Sequence, residues 1–169
     1  YPFTFFQAQR YKTYADYLAT KAKIKFIAFK ESIYGQVAVA ENKSHNTKFL
    51  INHGKIEGDT SGDVLNQRLL TYLPLAATNF KAKNFLNIGL GTGDTLQTAL
   101  KNKSLQRVDV VEINPVVKEL SGKYFFPQIN KDKRVNFIFM DARNYLLLSK
   151  KKYDVISSEP SYPTEFVTS

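Results

Sequence analysis

The sequence predicts an α/β fold in which an open parallel sheet, covered by helices on both faces, follows a small antiparallel β unit. Three observations predict it. From residue 84 onwards, short apolar strand patterns alternate with helix-spaced ones, the signature of a parallel sheet. Between about residues 26 and 56 apolar and polar residues alternate instead, as they do in antiparallel strands. A glycine-rich turn, Gly89-Leu90-Gly91-Thr92-Gly93, joins the first parallel strand to a helix-like run, and Glu112 follows nineteen positions after its last glycine.

In chain order, residues 1–25 form a basic and aromatic leader. Arg10, Lys12, Lys21, Lys23 and Lys25 stand against Asp16, with seven tyrosines and phenylalanines between Tyr1 and Tyr17. Such a leader suits a solvated helix whose aromatic face packs on its own domain or a sister subunit, or else an anionic surface such as lipid headgroups or RNA. Residues 26–62 form the small β domain. Ile33, Val37 and Val39 lie at odd positions, residues 41–46 are a polar turn, and Phe49-Leu50-Ile51 resumes the apolar run before Gly54. Residues 63–169 form the parallel-sheet domain, which opens with Val64, Leu65, Leu69, Tyr72 and Leu73 at helical spacing. That helix is expected to stop at Pro74, which lacks the N–H to continue it. Strands are expected at 85–90, 107–113, 135–140 and 153–157. Helices are expected at 94–101, 116–124 and 143–148, the second with Asn114 as N-cap and Pro115 in its first turn.

Composition excludes several classes. A chain of 169 residues that is 43% hydrophobic and 14% aromatic is globular, with room for one sizeable core. There is no cysteine, and His45 and His53 stand apart, so neither a disulfide framework nor a metal site is expected. No run of eighteen apolar residues and no signal-peptide pattern occur, so the chain as given is expected to be soluble. The net charge of +9 invites a nucleic-acid reading, but beyond the leader the lysines look scattered, and no nucleic-acid partner is expected.

The glycine turn points to a nucleoside ligand. Glycines let the backbone turn sharply and approach a ligand, and an acid at the end of the next strand can accept hydrogen bonds from both ribose hydroxyls. A dinucleotide fingerprint would place glycine or alanine where Asp94 stands, and a carboxylate there would face a pyrophosphate. An S-adenosylmethionine-type ligand, cationic and free of phosphate, fits better. Ligands of open parallel sheets bind beyond the carboxyl ends of the strands, and each of these four ends carries a distinctive feature. These are the glycine turn, Glu112, Asp141 and Glu159. Asp141 also suits a helix N-cap.

At these residues the sequence resembles the spermidine/spermine synthase family. The resemblance rests on Glu31-Ser32-x-Tyr34-x-Gln36, Gly54-Lys55, Gly62-Asp63-x-x-x-Gln67, Leu73-Pro74-Leu75, Asn87-Ile88-Gly89-Leu90-Gly91-Thr92-Gly93, Val111-Glu112-Ile113-Asn114-Pro115, Asp141-Ala142-Arg143-Asn144-Tyr145-Leu146 and Tyr153 through Ser161. Among variants it is most similar to the synthase-like domain found behind a multi-pass, transporter-like membrane segment, where Ser-Glu-Pro-Ser replaces the usual aspartate motif. The resemblance implies a small N-terminal β domain and a Rossmann-like, methyltransferase-type domain, truncated here after the fourth strand. It implies decarboxylated S-adenosylmethionine as the ligand, methylthioadenosine as the product, and no metal.

Carried over by position, the resemblance makes Gln36, Gly89, Gly91, Thr92, Gly93, Glu112, Ile113, Asp141 and Ala142 the cofactor-binding residues. Gln36 contacts the nucleoside end, the glycine turn forms the floor, Glu112 holds the ribose, and Asp141 with Ala142 holds the adenine. Glu159 takes the place of the catalytic aspartate. An alkylammonium loses its proton near pH 10, and a carboxylate beside it accepts that proton as the amine attacks. The implied reaction is aminopropyl transfer to a small amine acceptor. Thr92 stands where synthases carry an acid that repels a carboxylate, so ordinary S-adenosylmethionine and methyl transfer form the alternative. A non-catalytic nucleoside-sensing domain of a membrane protein is a third reading. A homodimer paired through the N-terminal region and a cytoplasmic location, at the membrane face if the leader lies on lipid, complete the expectations.

Overall fold

The computed structural model describes residues 23–62 and 64–158. The leader through residue 22, Asp63 and the expected catalytic Glu159 therefore lie outside the described residues. Four strands come first, β1 (Ile24–Ser32), β2 (Gly35–Asn42), β3 (Thr47–Asn52) and β4 (Lys55–Asp59), paired in sequence order as an antiparallel meander. The tight turns fall where the chain offers residues that tolerate positive φ, Asn46 at 50° and Gly54 at 76°. Ile33 departs from the expected alternation. It sits in the two-residue turn between β1 and β2, where its side chain has no sheet face to occupy and is 92% exposed.

The remaining elements are α1 (Val64–Ala77), β5 (Asn84–Ile88), α2 (Asp94–Leu100), β6 (Arg107–Glu112), α3 (Pro115–Tyr124), a 3-10 turn (Pro127–Asn130), β7 (Val135–Phe139), α4 (Ala142–Leu148) and β8 (Val155–Ser158). The second sheet has the order β7-β6-β5-β8 with every pair parallel. The chain steps outward from β5 to β7 and then returns to the other side of β5. That reversal opens a crevice at the carboxyl ends of β5 and β8. Asn114 caps α3 as expected, its side chain accepting from Val116 N at 3.0 Å, with Pro115 in the first turn.

Pro74 does not end α1, which runs through it to Ala77. A proline at this position leaves the carbonyl of Leu70 without its helical donor. The hydroxyl of Ser157, at the end of β8, donates to that carbonyl at 3.2 Å and takes the donor's place. The helix also buries an unexpected face, Gln67, Thr71 and Leu75, while Leu65 and Leu73 remain 67% and 64% exposed. Hydrogen bonds make the polar face tenable: Thr71 Oγ1 donates to Thr95 O at 3.0 Å, and Thr92 Oγ1 to Gln67 Oε1 at 3.1 Å.

A single buried apolar cluster runs across both sheets, joining Val37, Val39 and Leu50 to Phe85, Leu96, Val110 and Leu120. Helix α3 is the shared layer, packing against both β1 and β2 and against β6. Polar ties fix the antiparallel sheet over it: Lys30 Nζ meets Glu119 at 2.6 Å, Ser32 Oγ donates to Asn114 Oδ1 at 3.1 Å, and Lys48 Nζ donates to Tyr124 O at 3.0 Å. Among the described residues, no helix is long and apolar enough to cross a membrane.

Candidate functional site

A cavity of about 1210 Å³ opens at the carboxyl ends of β5, β6 and β8 and is walled on its far side by β3, β4 and α1. Gly89 and Gly91 line it with φ of 78° and 52°, and a methyl group built on Gly91 would meet nothing within 4 Å. The backbone there is open to close approach by a ligand. Ile113 and Ala142 line the same space.

Glu112, at the end of β6, is 9% exposed, and each carboxylate oxygen accepts one backbone N–H, from Leu90 at 3.0 Å and from Asn114 at 2.9 Å. The acid therefore shapes the glycine turn as well as facing the cavity. Each oxygen keeps a second lone pair for a ligand hydroxyl. Burial pushes this carboxyl above the usual glutamate range. The N–H groups of Asn114, Leu90 and Ile113 oppose the rise, and the charge of Glu57 adds to it. Asp141 does both things its position allows: its side chain caps α4, accepting from Asn144 N at 2.9 Å, and it lines the cavity.

Three expected positions are not brought to this cavity. Gln36 stands exposed on β2, donating to Glu31 Oε1 at 2.7 Å. Thr92 is 1% exposed and faces Gln67 of α1. Gly93, at φ 92°, begins α2 and packs against Ile129 and Phe126. Asp94 likewise faces away. It is 2% exposed with Arg68 Nε at 3.4 Å, so its charge is not presented to a ligand; burial raises its pKa while Arg68 pulls it down. In a turn of consecutive small residues, which side faces the ligand is set by φ and ψ rather than by spacing.

The far wall holds polar residues to which the sequence reading gave no site role, Asn52, Lys55, Glu57 and Asn66, with Leu69 and Leu73 of α1 beside them. The register of β4 against β3 shifts at Glu57, which pairs with no residue of β3, so Lys55, Ile56 and Glu57 all line the cavity, an arrangement that strand alternation does not signal. Ser157 and Ser158 close the β8 side.

Behind the rim, Asp109 of β6 is fully buried. It accepts from Tyr153 Oη at 2.6 Å, Arg107 Nε at 2.9 Å, Lys151 Nζ at 3.0 Å and Asn136 Nδ2 at 3.1 Å. Burial alone would raise its pKa, but these donors outweigh it and hold the carboxyl at about 2. Tyr145 of α4 joins the group through Asp109 and Tyr153, which pins α4 one turn beyond Asp141. Burial and the Asp109 carboxylate push the Tyr153 phenol well above its ordinary range.

The spermine/spermidine synthase domain model matches residues 64–167. A polyamine aminopropyltransferase of Clostridium botulinum is 28% identical over 140 residues, 80% of this chain and 49% of the relative. Those of Methanocaldococcus jannaschii and Saccharolobus solfataricus are each 29% identical, over 82% and 86% of this chain and 48% and 49% of theirs. The chain thus spans about half the length of the curated relatives it matches. Two solved structures share the fold at 23% identity. Spermidine synthase in complex with the transition state analogue AdoDATO has a TM-score of 0.73, covering 82% of this chain and 47% of its own. Spermidine synthase from Thermotoga maritima has a TM-score of 0.74, covering 82% and 48%.

Proposed function

The chain belongs to the spermine/spermidine synthase family, and from that premise we propose that it carries the nucleoside-binding half of an aminopropyltransferase acting on a small amine. The observation that carries the proposal is the meeting of Gly89, Gly91, Glu112, Ile113, Asp141 and Ala142 in one cavity large enough for an adenosine and a second reactant. Glu112 would accept from the ribose hydroxyls, and Asp141 from the adenine amino group with Ala142 alongside. Decarboxylated S-adenosylmethionine, when bound, supplies an electrophilic carbon next to a sulfonium. Glu57 and Glu112 give the cavity acids that suit a cationic ligand, and Glu159, next in the chain to Ser158 of the cavity rim, would accept the proton of the attacking amine.

One observation favours a second reading. Lys55 lines the cavity, and Thr92 presents no acid to it, a pairing that suits a ligand with a carboxylate, as ordinary S-adenosylmethionine has. Calorimetry with methylthioadenosine, decarboxylated S-adenosylmethionine and S-adenosylmethionine distinguishes the two. The first reading expects the decarboxylated form to bind more tightly and putrescine to be converted; tighter binding of the carboxylated form moves the assignment to methyl transfer. Binding without any transfer leaves the nucleoside-sensing role. The division into residues 26–62 and 63–169, a homodimer paired through the N-terminal region, and a cytoplasmic site with the basic leader on lipid belong to the same proposal. Sedimentation and vesicle flotation test the last two.

A further inference from the structure

The positive charge that looks scattered along the chain is gathered by the fold. Parallel strands share one polarity, so the loops leading into β5, β6, β7 and β8 meet at the amino pole of the sheet, opposite the cavity. Within residues 81–83, 101–107, 131–134 and 150–154 these loops hold eleven lysines and arginines and only two aspartates. Both aspartates are engaged, Asp132 with Arg134 at 2.7 Å and Asp154 with the backbone N–H groups of Lys83 and Asn84 at 2.7 and 2.8 Å. The loops are laced together: Gln106 N and Arg107 N donate to Lys83 O, and the Arg134 guanidinium donates to the carbonyls of Leu100 and Asn102. Arg134 is paired with Asp132, and Arg107 and Lys151 with the buried Asp109, which leaves eight lysines in these loops without a carboxylate ion pair among the described residues. Neighbouring strands are about 4.8 Å apart, so adjacent loops lie within the Debye length of about 8 Å at physiological salt and their cations repel one another. A polyanion would relieve that repulsion.

A second cavity, of about 570 Å³, opens on this pole. Lys81, Lys101 and Lys103 line it together with Tyr72 and Phe80, residues that are 40% and 46% exposed. Thr98, at its wall, is 1% exposed, and its hydroxyl has no hydrogen-bond partner among the described residues. Ammonium groups, exposed ring faces and an unpaired hydroxyl around one hollow fit phosphates, a base face and a base edge respectively. The pole presents loops and no helix or ribbon to enter a duplex groove, and a lipid surface makes no use of a hollow with a buried hydroxyl. We propose that the amino pole of the parallel sheet binds single-stranded nucleic acid without sequence preference, the lysines meeting phosphates and one base entering the hollow against Phe80 and Tyr72.

Fluorescence anisotropy of a labelled oligouridine, titrated with the chain at about 50 and 200 mM KCl, tests this. Saturable binding is expected, weakening with salt by about 0.7 in log–log slope for each phosphate met. The triple variant Lys81→Gln, Lys101→Gln, Lys103→Gln is expected to bind about tenfold more weakly at low salt and to flatten the slope by about 2. Phe80→Leu is expected to weaken binding about fivefold with the slope unchanged. Circular dichroism of both variants reports the fold. No binding at low salt, or full binding by a folded triple variant, overturns the proposal. So does binding to phosphatidylserine vesicles that the triple variant loses, if the oligonucleotide is not bound.

Discussion

Glu112 and Asp109 stand three positions apart on β6, and their surroundings push them in opposite directions. Burial raises the Glu112 pKa, so the folded state holds that proton more tightly and ionisation of the group subtracts stability as pH rises through the shifted interval. The role proposed for it, as an acceptor for ribose, needs the ionised form. Methylthioadenosine affinity is therefore expected to fall as pH is lowered through the range just above an ordinary glutamate, and Glu112→Gln to lose at least about tenfold in affinity and that pH dependence, both read by calorimetry. Asp109 is the reverse case. Its depressed pKa contributes roughly 2 kcal/mol that is fully present above the unfolded value near 3.9 and is lost as pH falls towards about 2. Asp109→Asn is expected to cost about 3 kcal/mol in urea unfolding at neutral pH and to flatten the acid limb, because Arg107 and Lys151 lose their buried partner. Glu112 was legible from its place at a strand end. Asp109 was not, because Val-Asp-Val-Val reads as an apolar strand with one outward residue, and the donors that make it tenable come from residues up to 44 positions away.

The elements of the parallel sheet were legible to within two residues, since Asn114-Pro115 and the glycine turn punctuate the chain strongly. Helix α1 was legible as a helix but not in its length or its buried face. Its leucine stripe marks a cavity wall, and its core face is carried by Gln67 and Thr71, which pattern reading places outside. The substitute donor at Pro74 makes a testable coupling. Ser157→Ala is expected to cost about 1 kcal/mol by leaving Leu70 O unpaired, and to cost less in a Pro74→Ala background, where the helix supplies its own N–H; a double-mutant cycle in urea measures the difference. Gly93→Ala is expected to lower stability by about 1–3 kcal/mol, since φ of 92° disfavours a side chain and its Cβ would lie 3.2 Å from Ile129, as a thermal melt will report.

For the whole molecule, the alternation of strands and helices announced the parallel sheet, while the strand order and the sharing of one apolar cluster by both sheets arise only from packing. A ligand held between the two sheets binds only when both are in place. Methylthioadenosine at about 100 times its Kd is therefore expected to stabilise the chain by about 2.7 kcal/mol, seen as a rise in Tm. The eleven cations of the amino pole and the acids of the opposite cavity have a further result. The strand direction becomes the axis of a permanent electric dipole, and in its field small cations drift away from the base of the molecule and towards its mouth. A cationic reactant, repelled at long range by the net charge of +9, would then be steered to the mouth rather than the base of the molecule, by a margin that fades as salt is added.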